Sequence, residues 1–264
     1  GDVLCDFDLT AEIAQHEKSG ARATLALVPV EDPTAYGVVL TDSENRVEAF
    51  LEKPDAADAP ADPRINAGCY VLEREVLGSI VKGQNCSFEH DVFPQMVGKG
   101  LHAFQADGYW IDLGTPERYM QATDDLLDNK VESWVSERLS AGGRAIEPGV
   151  STEGVTIHAP VVIDDGCELG AGAVIGPYAV LGHGCIVGAG TRIEHAVAQR
   201  GSTIGKNVVL DHSVVGPGVE LGDEVVVGEA SVIGEGARVG AGNTIKGASR
   251  IDAGVDIPAS TVGV

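Results

Sequence analysis

Residues 157–193 read IHAPVVIDDGCELGAGAVIGPYAVLGHGCIVGAGTRI, with aliphatics at 157, 163, 169, 175, 181, 187 and 193, six residues apart throughout. A period of six fits neither an α-helix nor a plain alternating strand. It predicts a β-helix of hexapeptide repeats, in which one aliphatic per six points inward and glycine follows where the chain bends. After an eleven-residue step the series resumes at Ile204 and Leu210, and after a five-residue step it runs from Val215 to Ile257. Ten of the seventeen positions are followed by glycine, and the residue two before each is small or medium-sized. Cys167 and Cys185 occupy that slot and read as packing residues. At three aliphatics per coil, the seventeen make between five and six coils. The long step, Glu194 to Thr203, reads as a protruding loop that makes a contact.

Upstream of this repeat the pattern changes. Val3 and Leu4 close a strand, Thr10 can cap a helix over 11–18, and Ala23 to Val30 is a continuous apolar run, as in a strand covered on both faces. Two alternating runs around the polar turn Asp42 to Asn45 predict a hairpin, the second run ending at Glu52-Lys53-Pro54. Asp55 to Arg64, with two prolines, reads as a mobile loop before a strand over 65–72. Helices are expected at 74–81 and 89–97, strands at 101–105 and 108–113, and a helix to 128 capped by Thr115 with Pro116 in its first turn. An amphipathic connector with Trp134, Val135 and Leu139 at helical spacing ends in Gly142-Gly143. The predicted organisation is an α/β domain over 1–130, a linker over 131–150 and the β-helix over 151–264.

The formal charge of −22 over 264 residues argues against nucleic acid or an anionic membrane as partner. No apolar run is long enough to span a bilayer and no signal peptide is seen. Five cysteines without a CxxC pair read as reduced thiols, which places the chain in the cytoplasm. Asp2, Lys53 and Asp112 fall at the ends of predicted strands. In a mostly parallel sheet such ends converge on a ligand, where two carboxylates can hold Mg²⁺ and a lysine a phosphate.

Gly1-Asp2-Val3-Leu4, Tyr36-Gly37-Val38-Val39, Glu52-Lys53-Pro54, Asn66-Ala67-Gly68 and Trp110-Ile111-Asp112-Leu113-Gly114-Thr115-Pro116, in that order and spacing, resemble the nucleotide-sugar pyrophosphorylases, or sugar-1-phosphate nucleotidyltransferases. The resemblance is nearest to their mannose-1-phosphate guanylyltransferase branch, whose members also carry a C-terminal left-handed β-helix. It implies an incomplete Rossmann-like nucleotidyltransferase domain followed by a left-handed parallel β-helix. It implies transfer from a nucleoside triphosphate, GTP, to a sugar 1-phosphate, mannose 1-phosphate, with pyrophosphate released and Mg²⁺ neutralising charge. Carried over by motif, Asp2 and Asp112 hold the metal, Lys53 the sugar phosphate, and Gly37, Glu52, Asn66 and Gly68 the sugar hydroxyls.

The family's glycine-rich loop, with a Gly-Thr-Arg sequence and then Pro-Lys-Pro, has no match here. At least a first strand-helix-strand unit, on the order of 30 residues, is expected to be missing, and the chain alone is expected to be inactive. Other readings stay open: a glucose-1-phosphate thymidylyl- or adenylyltransferase, a hexapeptide-repeat acyltransferase with His195 as general base, or a non-catalytic regulatory subunit. A homo-oligomer assembled through the β-helix is expected.

Overall fold

The computed structural model describes residues 2–55, 60–78, 80–139 and 142–260. Gly1, the centre of the expected loop (56–59), Ser79 of the helix expected at 74–81, and residues 140–141 of the expected connector lie outside the described residues. The chain divides into two compact units, Gly1–Ile111 and Asp112–Val264.

In the first unit, β1 (Val3–Cys5) is followed by α1 (Leu9–Ser19) and β2 (Ala23–Pro29). The cap of α1 is Asp8 rather than Thr10: its carboxylate accepts from the N–H groups of Thr10 and Ala11 at 2.8 and 3.0 Å. An ionised acceptor at the positive end of a helix outcompetes a hydroxyl two residues on. The hairpin is β3 (Gly37–Thr41) and β4 (Val47–Glu52), and β5 (Arg64–Leu72) and β6 (Leu101–Gln105) complete a five-stranded sheet in the order β4-β3-β5-β2-β6. Only β2 and β6 run parallel; the β2–β5, β5–β3 and β3–β4 pairs are antiparallel. The expectation of a mostly parallel sheet is therefore corrected, because a hairpin turn as short as Asp42–Asn45 can join only antiparallel neighbours.

As its unbroken apolar run predicts, β2 is covered on both faces. Leu25 and Leu27 pack with Phe93 and Leu101 on one side, and Ala26 and Val28 with Val38 and Ile65 on the other. The helices expected at 74–81 and 89–97 are shorter: α2 (Arg74–Leu77), and a wide turn at Phe88–Val92 running into α3 (Phe93–Met96). Pro94 has no N–H for a bond to the preceding turn, which accounts for the widened turn before it. β7 (Trp110–Asp112) pairs with β1, and the first unit ends at its middle residue, Ile111.

The second unit opens with α4 (Pro116–Leu127), which Thr115 caps through its hydroxyl as expected. The short α5 (Trp134–Arg138) leaves Trp134 63 % exposed, with the Arg138 guanidinium 4.9 Å from its ring centre. Trp134 thus faces outward instead of forming the buried stripe of an amphipathic connector. Beyond Arg144 the chain winds into a parallel β-solenoid of about six turns. Val161 pairs with Ala179, Ala179 with Ala196 and Ala196 with Ser213, so each coil stacks in register on the last. The inward aliphatics Ile163, Ile175, Leu181, Ile193, Leu210 and Ile233 are fully buried.

The eleven-residue step in the repeat is not a protruding loop. A continuous strand, Arg192–Ala198, runs through it, and Ala198 fills the inward slot with no exposure. The corners at His195 and His212 are each one residue short, and the small alanine hides the first of these shortenings from an aliphatic count. The small-residue slot is also confirmed: Thr191, Ser202 and Ser231 donate their hydroxyls to the carbonyls of Gly205, Gly216 and Lys246, so their burial costs no unpaired group. α4 lays Met120 against Val197 and Val214 of the solenoid. It therefore packs with the solenoid unit, although its sequence follows directly on the first unit.

Candidate functional site

Glu52 is the last residue of β4 and pairs with Gly37, the first residue of β3. On the other side of β3, Val38 faces Ile65 in antiparallel register, which makes Gly37 and Asn66 the next pair. Antiparallel pairing thus aligns Glu52, Gly37 and Asn66 in one row across three strands. The row is set by antiparallel register and includes neither Asp2 nor Asp112, whose convergence with Lys53 was expected from parallel strand ends. The row is open to solvent: Glu52, Gly37 and Gly68 are exposed and Asn66 half-buried.

Gly37 lies beneath the Glu52 carboxylate. A Cβ there would stand 3.3 Å from Glu52 Oε2, crowding the carboxylate that lies over it. Lys53 directly follows, in a left-handed conformation (φ 41°), with its N–H donated to the Tyr36 carbonyl at 3.1 Å. The proline after it and this backbone conformation turn the side chain out of the sheet. No described carboxylate pairs with its exposed ammonium, which is available to an anion.

Across β5 the register with β2 shifts between Leu25 and Leu27, a bulge at Ala67-Gly68-Cys69. Gly68 takes φ 80°, which suits glycine. Three contacts hold the bulge: Asn66 Oδ1 accepts the Gly68 N–H at 2.9 Å, Asn66 Nδ2 donates to the Tyr70 hydroxyl at 2.8 Å, and Trp110 Nε1 donates to the Ala67 carbonyl at 2.9 Å. The Tyr70 hydroxyl in turn donates to Glu89 Oε1 at 2.6 Å, and Ser87 donates to Oε2 at 2.8 Å. Burial, reinforced by the Glu89 carboxylate, pushes the Tyr70 phenol well up. Burial raises Glu89, but the Tyr70 and Ser87 hydrogen bonds outweigh it and leave its carboxyl below the ordinary range.

Sequence reading missed Tyr70 and Glu89. Tyr70 lies four residues beyond Asn66 along β5, where a strand repeats its face, which is a weak signal. Glu89 carries none, because only packing brings it to Tyr70. Asp2, exposed, directly precedes β1, and Asp112 ends the strand that pairs with β1. Asp112 Oδ1 accepts the Gly114 N–H at 3.1 Å, leaving Oδ2 for another partner. A carboxylate oxygen is a donor that suits a hard, oxygen-seeking ion such as Mg²⁺.

His90 lies in the turn Phe88–Val92 and His195 within the strand Arg192–Ala198, packed against the ring of Tyr178. All five cysteines are free. Among the described residues, no helix is long and apolar enough to cross a membrane.

A nucleotidyl transferase family model matches residues 1–129, and a GMPPB C-terminal domain model matches residues 157–260. A mannose-1-phosphate guanylyltransferase of Mycobacterium tuberculosis is 40 % identical over 180 residues, covering 65 % of this chain and 48 % of its own. A mannose-1-phosphate guanyltransferase of Gibberella zeae is 32 % identical, covering 98 % of this chain and 69 % of its own. A UTP–glucose-1-phosphate uridylyltransferase of Synechocystis is 31 % identical, covering 86 % and 58 %. The chain thus spans about half the length of the first of these relatives. Its two matched segments, in this order, and its similarity along nearly its whole length to the Gibberella protein show that the chain belongs to the sugar-1-phosphate nucleotidyltransferase family.

Proposed function

We propose that the first unit supplies the sugar-phosphate half of a nucleotidyltransferase site, using mannose 1-phosphate and, in the whole enzyme, GTP, with release of pyrophosphate. The observation that carries this reading is the open row Glu52–Gly37–Asn66 with the unpaired Lys53 ammonium at its end. A carboxylate accepts from sugar hydroxyls, and glycine lets the ring approach the backbone. Asn66 keeps one amide hydrogen and one lone pair beyond its internal bonds. Lys53 takes the sugar phosphate through charge-assisted hydrogen bonds. Asp2 and Asp112 are the carboxylates for Mg²⁺, which offsets the charge of the phosphates when bound. Free thiols throughout support a reducing, cytoplasmic setting. The guanylyltransferase names of two of the relatives favour GTP and mannose 1-phosphate over the uridylyl alternative.

The 264 residues contain no Gly-Thr-Arg followed by Pro-Lys-Pro to cradle a triphosphate; their one Gly-Thr-Arg, at 190–192, lies in the solenoid with Thr191 buried. On their own they are expected to bind mannose 1-phosphate without forming the nucleotide sugar. Titration calorimetry with mannose 1-phosphate tests the binding, and a pyrophosphate-release assay with GTP tests the second part. Lys53→Ala is expected to weaken sugar-phosphate binding by roughly ten- to a hundredfold, the cost of one charge-assisted contact. Unchanged affinity in that variant would remove Lys53 from the site. Pyrophosphate release above background by the 264 residues would overturn the expected inactivity.

A further inference from the structure

Tyr178, His195 and His212 take left-handed conformations at corners of successive coils. Their rings form a column: Tyr178 to His195 is 4.6 Å between centres and His195 to His212 is 4.4 Å at an interplanar angle of 5°. The residues preceding the two histidines are acidic, Glu194 and Asp211, and they pair in register; one coil further on, the same corner holds Glu229-Ala230, with the Ala230 N–H on the His212 carbonyl. The corners thus stack a ladder of acids beside a ladder of rings.

The three acids are not equivalent. Glu194 is neutralised by Arg192 at 2.6 Å. Among the described residues Asp211 pairs only with the His212 ring, its Oδ1 at 2.7 Å from Nδ1. Glu229 forms no ion pair among the described residues. Donor atoms of Asp211, His212 and Glu229, one from each, lie within 4.8 Å of one another. His212 and Glu229 also border a cavity of about 550 Å³ whose charged lining is mostly carboxylate, including Glu117, Asp124 and Asp128. Its one lysine, Lys130, is engaged by Asp125 and Asp128. In the same cavity Asp124 Oδ1 and His195 Nδ1 are buried without a hydrogen-bond partner, since the 3.5 Å between His195 Nδ1 and Asp124 Oδ2 is too long for a well-formed one. Such a lining repels phosphates and carboxylates and attracts cations.

The geometry points to a site for a Zn²⁺-class divalent metal, made by Asp211, His212 and Glu229, that clamps two successive coils of the solenoid. One imidazole with two carboxylates is a donor set for a borderline transition ion rather than for Mg²⁺, which prefers oxygen alone. Donors around zinc stand about 3.4 Å apart at bond lengths near 2.1 Å. The exposed side chains of Glu229 and His212 and the half-exposed Asp211 can close from 4.8 Å by rotation. Two carboxylates held this close repel, and a cation between them removes that repulsion. Asp211 and His212 come from one coil and Glu229 from the next, so the ion adds a tie between coils that strand pairing and the shared aliphatic core already join.

The test uses the whole chain after treatment with a chelator, with Zn²⁺ and the visible probe Co²⁺. One equivalent of Zn²⁺ is expected to bind in the presence of millimolar Mg²⁺ and to raise the melting temperature. Co²⁺ is expected to show ligand-field bands without thiolate charge transfer, because no cysteine is in the set. Glu229→Gln and His212→Asn, the latter chosen because asparagine tolerates the left-handed corner, are each expected to weaken Zn²⁺ at least about tenfold with circular dichroism unchanged. Asp112→Asn is expected to leave Zn²⁺ binding as it is. Absence of binding, displacement by Mg²⁺, thiolate bands, or affinity untouched by both variants would overturn the site.

Discussion

At the scale of single residues, the first unit contains one acid that is out of place. Glu12 on α1 is 1 % exposed, its Oε1 has no hydrogen-bond partner, and burial pushes its carboxyl from the ordinary 4.5 up to about 7. The folded chain therefore keeps a proton on Glu12 at pH values where the unfolded chain has released it. Stability falls as pH rises from 4.5 to 7, by about 3 kcal/mol in all, and the full penalty persists above. Glu12→Gln removes the ionisation, so it is expected to stabilise the chain at pH 8 and to change little at pH 4.5. Urea unfolding at the two pH values checks this, and an equal effect at both would rule it out. The same helix leaves Leu9 and Ile13 half exposed while Glu12 and His16 face inward, the reverse of what their types alone suggest. His16 has a reason, since its Nδ1 is 2.8 Å from the buried Thr24 hydroxyl, whereas Glu12 Oε1 has no such partner among the described residues.

Elements are where glycine matters in this protein. At Gly205 an added Cβ would stand 2.6 Å from the Gly222 carbonyl carbon and 2.7 Å from Asp223 N, both in the backbone of the next coil. Backbone in a stacked coil cannot yield without disturbing its own pairing. Gly205→Ala is thus expected to destabilise the solenoid by about 1–3 kcal/mol, as overpacking does. Because each coil buries its aliphatics only against its neighbours, the loss should appear as a lower melting temperature for the solenoid as a whole. A melting curve identical to that of the unaltered chain would contradict this account of the corner.

At the scale of the whole molecule, an assembly is proposed through the solenoid. Ile186 and Val226 are outward aliphatics on two of its sheets, 44 % and 38 % exposed. Sedimentation velocity of the full chain is expected to show a dimer or larger, shifted towards monomer by Ile186→Glu or Val226→Glu. A monomeric chain, or an assembly indifferent to both substitutions, would remove the solenoid from that role. The packing boundary bears on the design of such tests. A chain ended after Gly143 would keep α4 but strip away Val197 and Val214, against which its Met120 packs. Point substitutions avoid exposing that apolar surface.

How much of this was legible in the sequence follows from the range of each interaction. The period of six, the hairpin at Asp42–Asn45 and the run through β2 are local patterns, whereas the roles of Gly37, Glu52, Lys53, Asn66 and Gly68 come from the family resemblance. Burial repeats with the geometry of the element, so the residues themselves disclose it. The Thr115 cap was readable for the same reason, since a cap acts within one turn. Three things depended on contacts between residues far apart in the chain. Ala198 filling an inward slot, the pairing of Tyr70 with Glu89, and the Tyr178–His195–His212 column each require the coil pitch or the sheet register before the partners meet. The placement of α4 on the solenoid belongs with them, because covalent order attaches it to the first unit and only buried apolar area assigns it to the second. Local hydrophobic periodicity thus determined the elements and their order, while the pairing of side chains distant in sequence was decided by the tertiary structure, since it depends on the stacking of whole coils and strands.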